Sequence, residues 1–213
     1  MDFATLNWIK GLAINEVLKK RLSLTKQFLE ENEVPLENGI PKIARIDCEN
    51  DEVVVVYFHV LDREYFFGVV VRIGIEPFVE RATVEAGSSV VLTVTSKNLQ
   101  LAELLAYCKF DPTEKWDIGD VTLFKNSPNK NSGFIYDPIA ERADECSDNI
   151  EKLVTELEKY KDDILELSHN AEPLIQVYWY GNAKWMSSLQ LNRSLLKRIS
   201  DLNLGLDFDL NVS

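Results

Sequence analysis

Residues 173–210 admit few arrangements. Between 173 and 180 the chain alternates, with Ile175, Val177 and Trp179 on one side and Gln176, Tyr178 and Tyr180 on the other. Asn192 stands where a helix N-cap belongs, ahead of an apolar stripe of Leu195, Leu196, Ile199 and Leu202. Leu204, Leu206, Phe208 and Leu210 then alternate with Gly205, Asp207 and Asp209. A strand, a helix and a strand of this kind predict a sheet covered by helices on one side only. Function is to be sought on its other side.

Upstream, residues 148–168 carry the clearest helical period. Ile150, Leu153, Val154, Leu157, Tyr160, Ile164, Leu165 and Leu167 share one face, and Asp148 with Glu151 suits a capping box. A stripe of that size has to lie on a sheet. Val90, Leu92 and Val94 alternate as a strand, and Asn98 can cap a helix over 99–108. Residues 110–120 read as a loop, 121–125 and 133–136 as two short strands joined by a polar connection, and 137–145 as a second loop. The predicted order from residue 90 is β-α-β-β-α-β with an extra C-terminal α-β, and its first six elements form a ferredoxin-like unit.

Before this unit, residues 2–31 read as one helix bent at Gly11. A β-meander follows, with strands at 42–48, 53–60, 65–75 and 78–85; the second is apolar on both faces and belongs in the middle. The predicted class is α+β, divided into 1–87 and 88–213. The meander either extends the C-terminal sheet or forms a second layer.

Several functions are disfavoured by composition. A formal charge of −12 argues against nucleic acid and anionic membranes, which both reward Lys and Arg. Cys48, Cys108 and Cys146 are too widely spaced for a zinc site or a disulfide framework, so free thiols and a cytoplasmic setting are expected. There is no basic n-region followed by an apolar run and no stretch of 18 apolar residues, so neither a signal peptide nor a membrane span is expected. His59 lies in an apolar run and His169 at a helix end, neither with ligand spacing. No phosphate-binding glycine loop and no nucleophile–base motif occurs. We therefore expect no catalytic residues, no metal and no cofactor. Asp117 and Asp120 flank Gly119, where turn chemistry accounts for them.

The aromatic residues point to a binding surface instead. Gln176, Tyr178, Tyr180, Asp207 and Asp209 share the polar side of two neighbouring strands, and Trp185 follows directly after the first. Exposed aromatics beside carboxylates are what interface centres contain. The competing expectation is that the N-terminal meander or helix covers them as core.

From about residue 88 to 210 the chain resembles a bacterial family, domain of unknown function 4279. The resemblance rests on the strand at 90–95, on Asp111-Pro112-Thr113 followed by Gly119-Asp120, on the helix at 148–168, and on the closing run from Ile199 to Leu210. Where the family often has a tryptophan after the Gly-Asp pair, this chain has Phe134, Ile135 and Tyr136, with Trp116 ahead of them. Members look like small cytosolic proteins, some encoded beside polymorphic toxins. The resemblance thus implies an immunity protein whose partner is a cognate toxin domain. A nuclease toxin that grips phosphates is basic, and an inhibitor of charge −12 would be steered to it. The alternative is a ligand-sensing or assembly module.

Overall fold

The computed structural model describes residues 3–50, 52–121, 127–139, 145–185 and 189–212. Its two main sheets are separate. The first is an antiparallel meander in chain order: β3 (Ile43–Asn50), β4 (Val53–His59), β5 (Phe66–Arg72) and β6 (Phe78–Glu85). A small hairpin precedes it, β1 (Leu36–Glu37) with β2 (Ile40–Pro41), turning on Asn38 and Gly39, both at positive φ. Two helices, α1 (Phe3–Lys19) and α2 (Ser23–Glu31), cover one face of the meander. Ile9, Ala13, Val17 and Phe28 bury there against Val54, Val56, Phe58 and Phe67.

The predicted single helix over 2–31 is corrected to these two. The break is at Lys20, whose φ is +49°, and not at Gly11, which lies inside α1. The carboxylate of Glu16 accepts the Leu22 N–H at 2.9 Å and holds the turn. A left-handed backbone at lysine leaves no periodic trace in a sequence.

The second sheet is built from β7 (Gly87–Ser96), α3 (Leu101–Ala106), β8 (Glu114–Trp116), β9 (Ser132–Tyr136), α4 (Cys146–Leu157), α5 (Lys161–Asn170), β10 (Glu172–Gly181), α6 (Arg193–Asp201) and β11 (Gly205–Val212). Its strand order is β11-β10-β7-β9-β8. Without β11 the order is fourth-first-third-second, with every pair antiparallel, which is the expected ferredoxin-like arrangement. The extra α-β unit adds β11 parallel to β10. The protein is α+β.

Three local expectations change. The second strand of the unit is β8, inside the predicted loop 110–120; the expected strand at 121–125 lies, apart from Val121, outside the described residues. The long helix begins at Cys146, so Asp148 is already in its first turn and makes no capping box. A 3-10 turn, Glu158–Tyr160, divides it into α4 and α5. The helix after β7 starts later than predicted. The Gln100 N–H donates to Glu103 at 2.7 Å, while Asn98 and Leu99 donate their N–H groups to Ser96 Oγ.

Helices α3 to α6 all pack on one face of this sheet. Leu104, Leu153, Leu157, Ile164, Leu167, Leu195 and Ile199 bury against Leu92, Val94, Phe134, Ile175 and Val177. Asn192 caps α6 as predicted, its Oδ1 accepting the Leu195 N–H at 2.8 Å. Arg198 of α6 reaches across to α4 and the turn after it, donating to Glu151 at 3.0 Å, Thr155 at 2.7 Å and Glu158 at 2.8 Å.

The two halves meet where β6 runs into β7. A β-carbon on Gly87 would overlap the carbonyl oxygen of Glu64, in the turn between β4 and β5. Tyr65 Oη donates to Asn32 Oδ1 at 2.8 Å and accepts from Asn182 Nδ2 at 3.2 Å. These contacts tie the end of β10 to the meander and its helices.

Candidate functional site: the second face of the five-stranded sheet

Register places the polar residues. In β10, Gln176 pairs with Asp207 on one side and Val91 on the other, Tyr178 with Asp209 and Ser89, and Tyr180 with Asn211 and Gly87. Residues level with one another across a sheet share a face. Gln176, Tyr178, Tyr180, Asp207 and Asp209 are therefore one surface, opposite the helices. The three β10 residues are half-buried and both aspartates are exposed.

The same register extends the surface to residues that alternation alone did not identify. Thr93 is level with Ile135, which is level with Glu114; Thr95 is level with Gly133, which is level with Trp116. Trp116 lies over Gly133, where a β-carbon would collide with its ring, and its Nε1 donates to Asn131 at 3.3 Å. Val91 and Ser89 form the buried floor. Trp116 could have been found from its pairing with Gly133, but a three-residue strand has no period of its own to reveal that pairing.

The electrostatics of this face are acidic. Neither Asp207 nor Asp209 makes an ion pair with a described residue. Burial, then Asp209, Tyr180, Glu114 and Asp207, hold the Tyr178 phenol above its ordinary range. Carboxylates from both edges of the sheet thus bear on one central tyrosine.

The meander covers one end of this face. The turn Asp62, Arg63, Glu64, Tyr65 closes over Gly87 and frames a cavity of about 320 Å³ with Tyr180, Gly181, Asn211 and Val212. Trp185, expected at the rim, is placed elsewhere. It is partly buried in the N-terminal core with its ring 5.5 Å from Phe28, and neighbouring Lys184 pairs with Glu31. It anchors the segment after β10.

Outside this face, a cavity of about 340 Å³ lies between the halves, lined by Glu85, Glu145, Cys146, Trp179 and Gln190 among others. Burial pushes the Cys146 thiol up to about 11, so it is not a thiolate at neutral pH. Burial also holds the Glu85 carboxyl above its usual range, despite Arg45 nearby. His59 is half-buried at the end of β4, its ring 5.8 Å from that of Phe66, and burial with Lys42 lowers its pKa. His169 is exposed in the last turn of α5. Among the described residues, no three His, Cys, Asp or Glu side chains are grouped to hold a metal ion, and no helix is long and apolar enough to cross a membrane. Asp117 and Asp120 form a turn, the Asp117 N–H donating to Asp120 at 2.7 Å.

Comparison with curated proteins and with solved structures finds no match in either. A family model does match: domain of unknown function (DUF4279), over residues 85–213. That span holds the five-stranded sheet with helices α3 to α6, and the chain belongs to this family.

Proposed function

We propose that the protein is a non-catalytic binding protein, a cytosolic immunity protein that neutralises a basic toxin domain by covering it. The observation that carries this reading is one face of rigid neighbouring strands, opposite the helical layer, on which Tyr178 and Tyr180 stand beside Asp207 and Asp209, two carboxylates with no ion pair among the described residues. A face of this kind supplies aromatic anchors and charges that gain from a Lys- or Arg-bearing partner. The net charge of −12 adds long-range attraction.

The test is the double change Tyr178→Ala with Asp209→Ala, co-expressed with a toxin domain that the wild-type protein neutralises. The loss of a true anchor costs about 2 kcal/mol or more of binding, so protection of the cells should disappear while circular dichroism stays native. Full protection by the folded variant would move the interface elsewhere. A ligand-sensing role is the competing reading, favoured by the cavity between Glu85 and Glu145; a small molecule held there, with no macromolecular partner, would support it.

A further inference from the structure

The acidic face ends at a strand edge. β11 is paired with β10 along its whole length, from Leu174 opposite Gly205 to Gly181 opposite Val212, with no shift of register. Among the described residues no strand pairs with its other side. That side presents a row of main-chain N–H and C=O groups, a template for an added strand. Of the usual protections of such an edge, only charge is present, in Asp207 and Asp209: these eight residues contain no proline, no lysine or arginine and no bulge.

Charge selects what can be added. Asp207 and Asp209 are two residues apart on one face, about 6.6 Å along the strand, the spacing of alternate residues in any neighbouring strand. Leu206, Phe208 and Leu210 alternate with them on the helix side, and Leu210 is 58% exposed. A second copy of β11 fits poorly. Antiparallel pairing about Phe208 would set Asp207 of each copy opposite Asp209 of the other, and like charges directly opposed are destabilising.

We infer that the β11 edge accepts an extended strand of the partner by β-addition, one in which Lys or Arg alternates with apolar residues. The basic side chains stand opposite Asp207 and Asp209, and the apolar ones continue the Leu206–Leu210 side towards α6. This rests on the reading of the open face given above and names how the partner engages it.

The probe is a blocked, fluorescently labelled octapeptide alternating lysine with valine, and its control carries two central prolines at equal charge. Fluorescence anisotropy gives affinity, and hydrogen exchange of the full chain locates the site. The alternating peptide should slow exchange in Gly205–Val212. Asp207→Lys with Asp209→Lys, checked for a native fold by near-ultraviolet circular dichroism, should weaken binding by about tenfold or more. The proline control should bind weakly to both proteins. Equal binding of the proline control would show electrostatic adhesion only and overturn strand addition, as would protection away from β11 or a dimer protected at β11. If no peptide pairs with β11 yet toxin binding depends on Tyr178, strand addition fails and the open-face reading stands. If the peptide pairs with β11 while Tyr178→Ala alone protects fully, the tyrosine anchors of the open face fail and strand addition stands.

Discussion

The α-carbon of Gly87 lies against the main-chain carbonyl of Glu64, with no room between them for a β-carbon. This contact seats the meander's turn on the start of β7, and it is backbone against backbone, so no side chain can swing aside. Gly87→Ala should destabilise the protein by about 3 kcal/mol, the upper end of overpacking costs. A urea melt shifted by less than a fifth of that would show that the turn moves away freely.

The helical layer of the second sheet gives a second test. Leu157, at the end of α4, is fully buried against the sheet with Leu153 and Ile164. Leu157→Ala should cost about 2–5 kcal/mol in denaturant melts. A loss under about 0.5 kcal/mol would be what an exposed position gives.

The meander contains a buried polar cluster whose protonation should be visible in stability. Tyr57 is 3% exposed, donates to Glu85 at 3.1 Å and lies under the Arg45 guanidinium at 4.2 Å from its ring centre. Burial, then the charge of Glu85, raises its pKa above the ordinary 10.0, and Arg45 only partly offsets this. A raised folded value means that the neutral phenol stabilises the fold fully below about pH 10, and that this contribution is lost as pH climbs through the folded value. Between pH 9 and 11, a range flanking the ordinary tyrosine pKa of about 10, wild type should lose stability relative to Tyr57→Phe. A difference that stays constant across that range would mean that Tyr57 titrates as it does in the unfolded chain.

The thiols separate by environment. Cys48 is exposed, while burial pushes Cys146 up to about 11, and burial together with Asp163 pushes Cys108 up to about 12. Titration with Ellman's reagent should find Cys48 reacting first in the native protein and all three thiols after unfolding. Recovery of one thiol from the unfolded chain would contradict free cysteines.

Why some of this was legible and some not follows from periodicity. Strand β10 has one dry face, so alternation alone placed Ile175, Val177 and Trp179 beneath the helices and Gln176, Tyr178 and Tyr180 opposite them. β8 is a three-residue edge strand whose Glu114 and Lys115 are both exposed, so no dry face marked it, and Glu114 and Trp116 were missed as members of the acidic face. The position of Trp185 depends on Phe28, more than 150 residues away in sequence, and no local pattern carries that information. The break at Lys20 is set by a backbone angle to which hydropathy is blind.

The parallel attachment of β11 bears on how the molecule opens. Each of the other four strands of its sheet is needed to complete the ferredoxin-like circuit, whereas lifting α6 and β11 together leaves that circuit closed. Buried Leu195, Ile199, Leu202 and Leu204 hold this last unit down from beneath, and Arg198 clasps Glu151, Thr155 and Glu158 at the surface. Amide exchange in α6 and β11 is therefore governed by their own detachment, while amides in β7 and the β7-facing side of β10 wait for the whole domain to unfold. Weakening the Arg198 clasp should speed exchange in α6 and β11 and leave that of β7 unchanged.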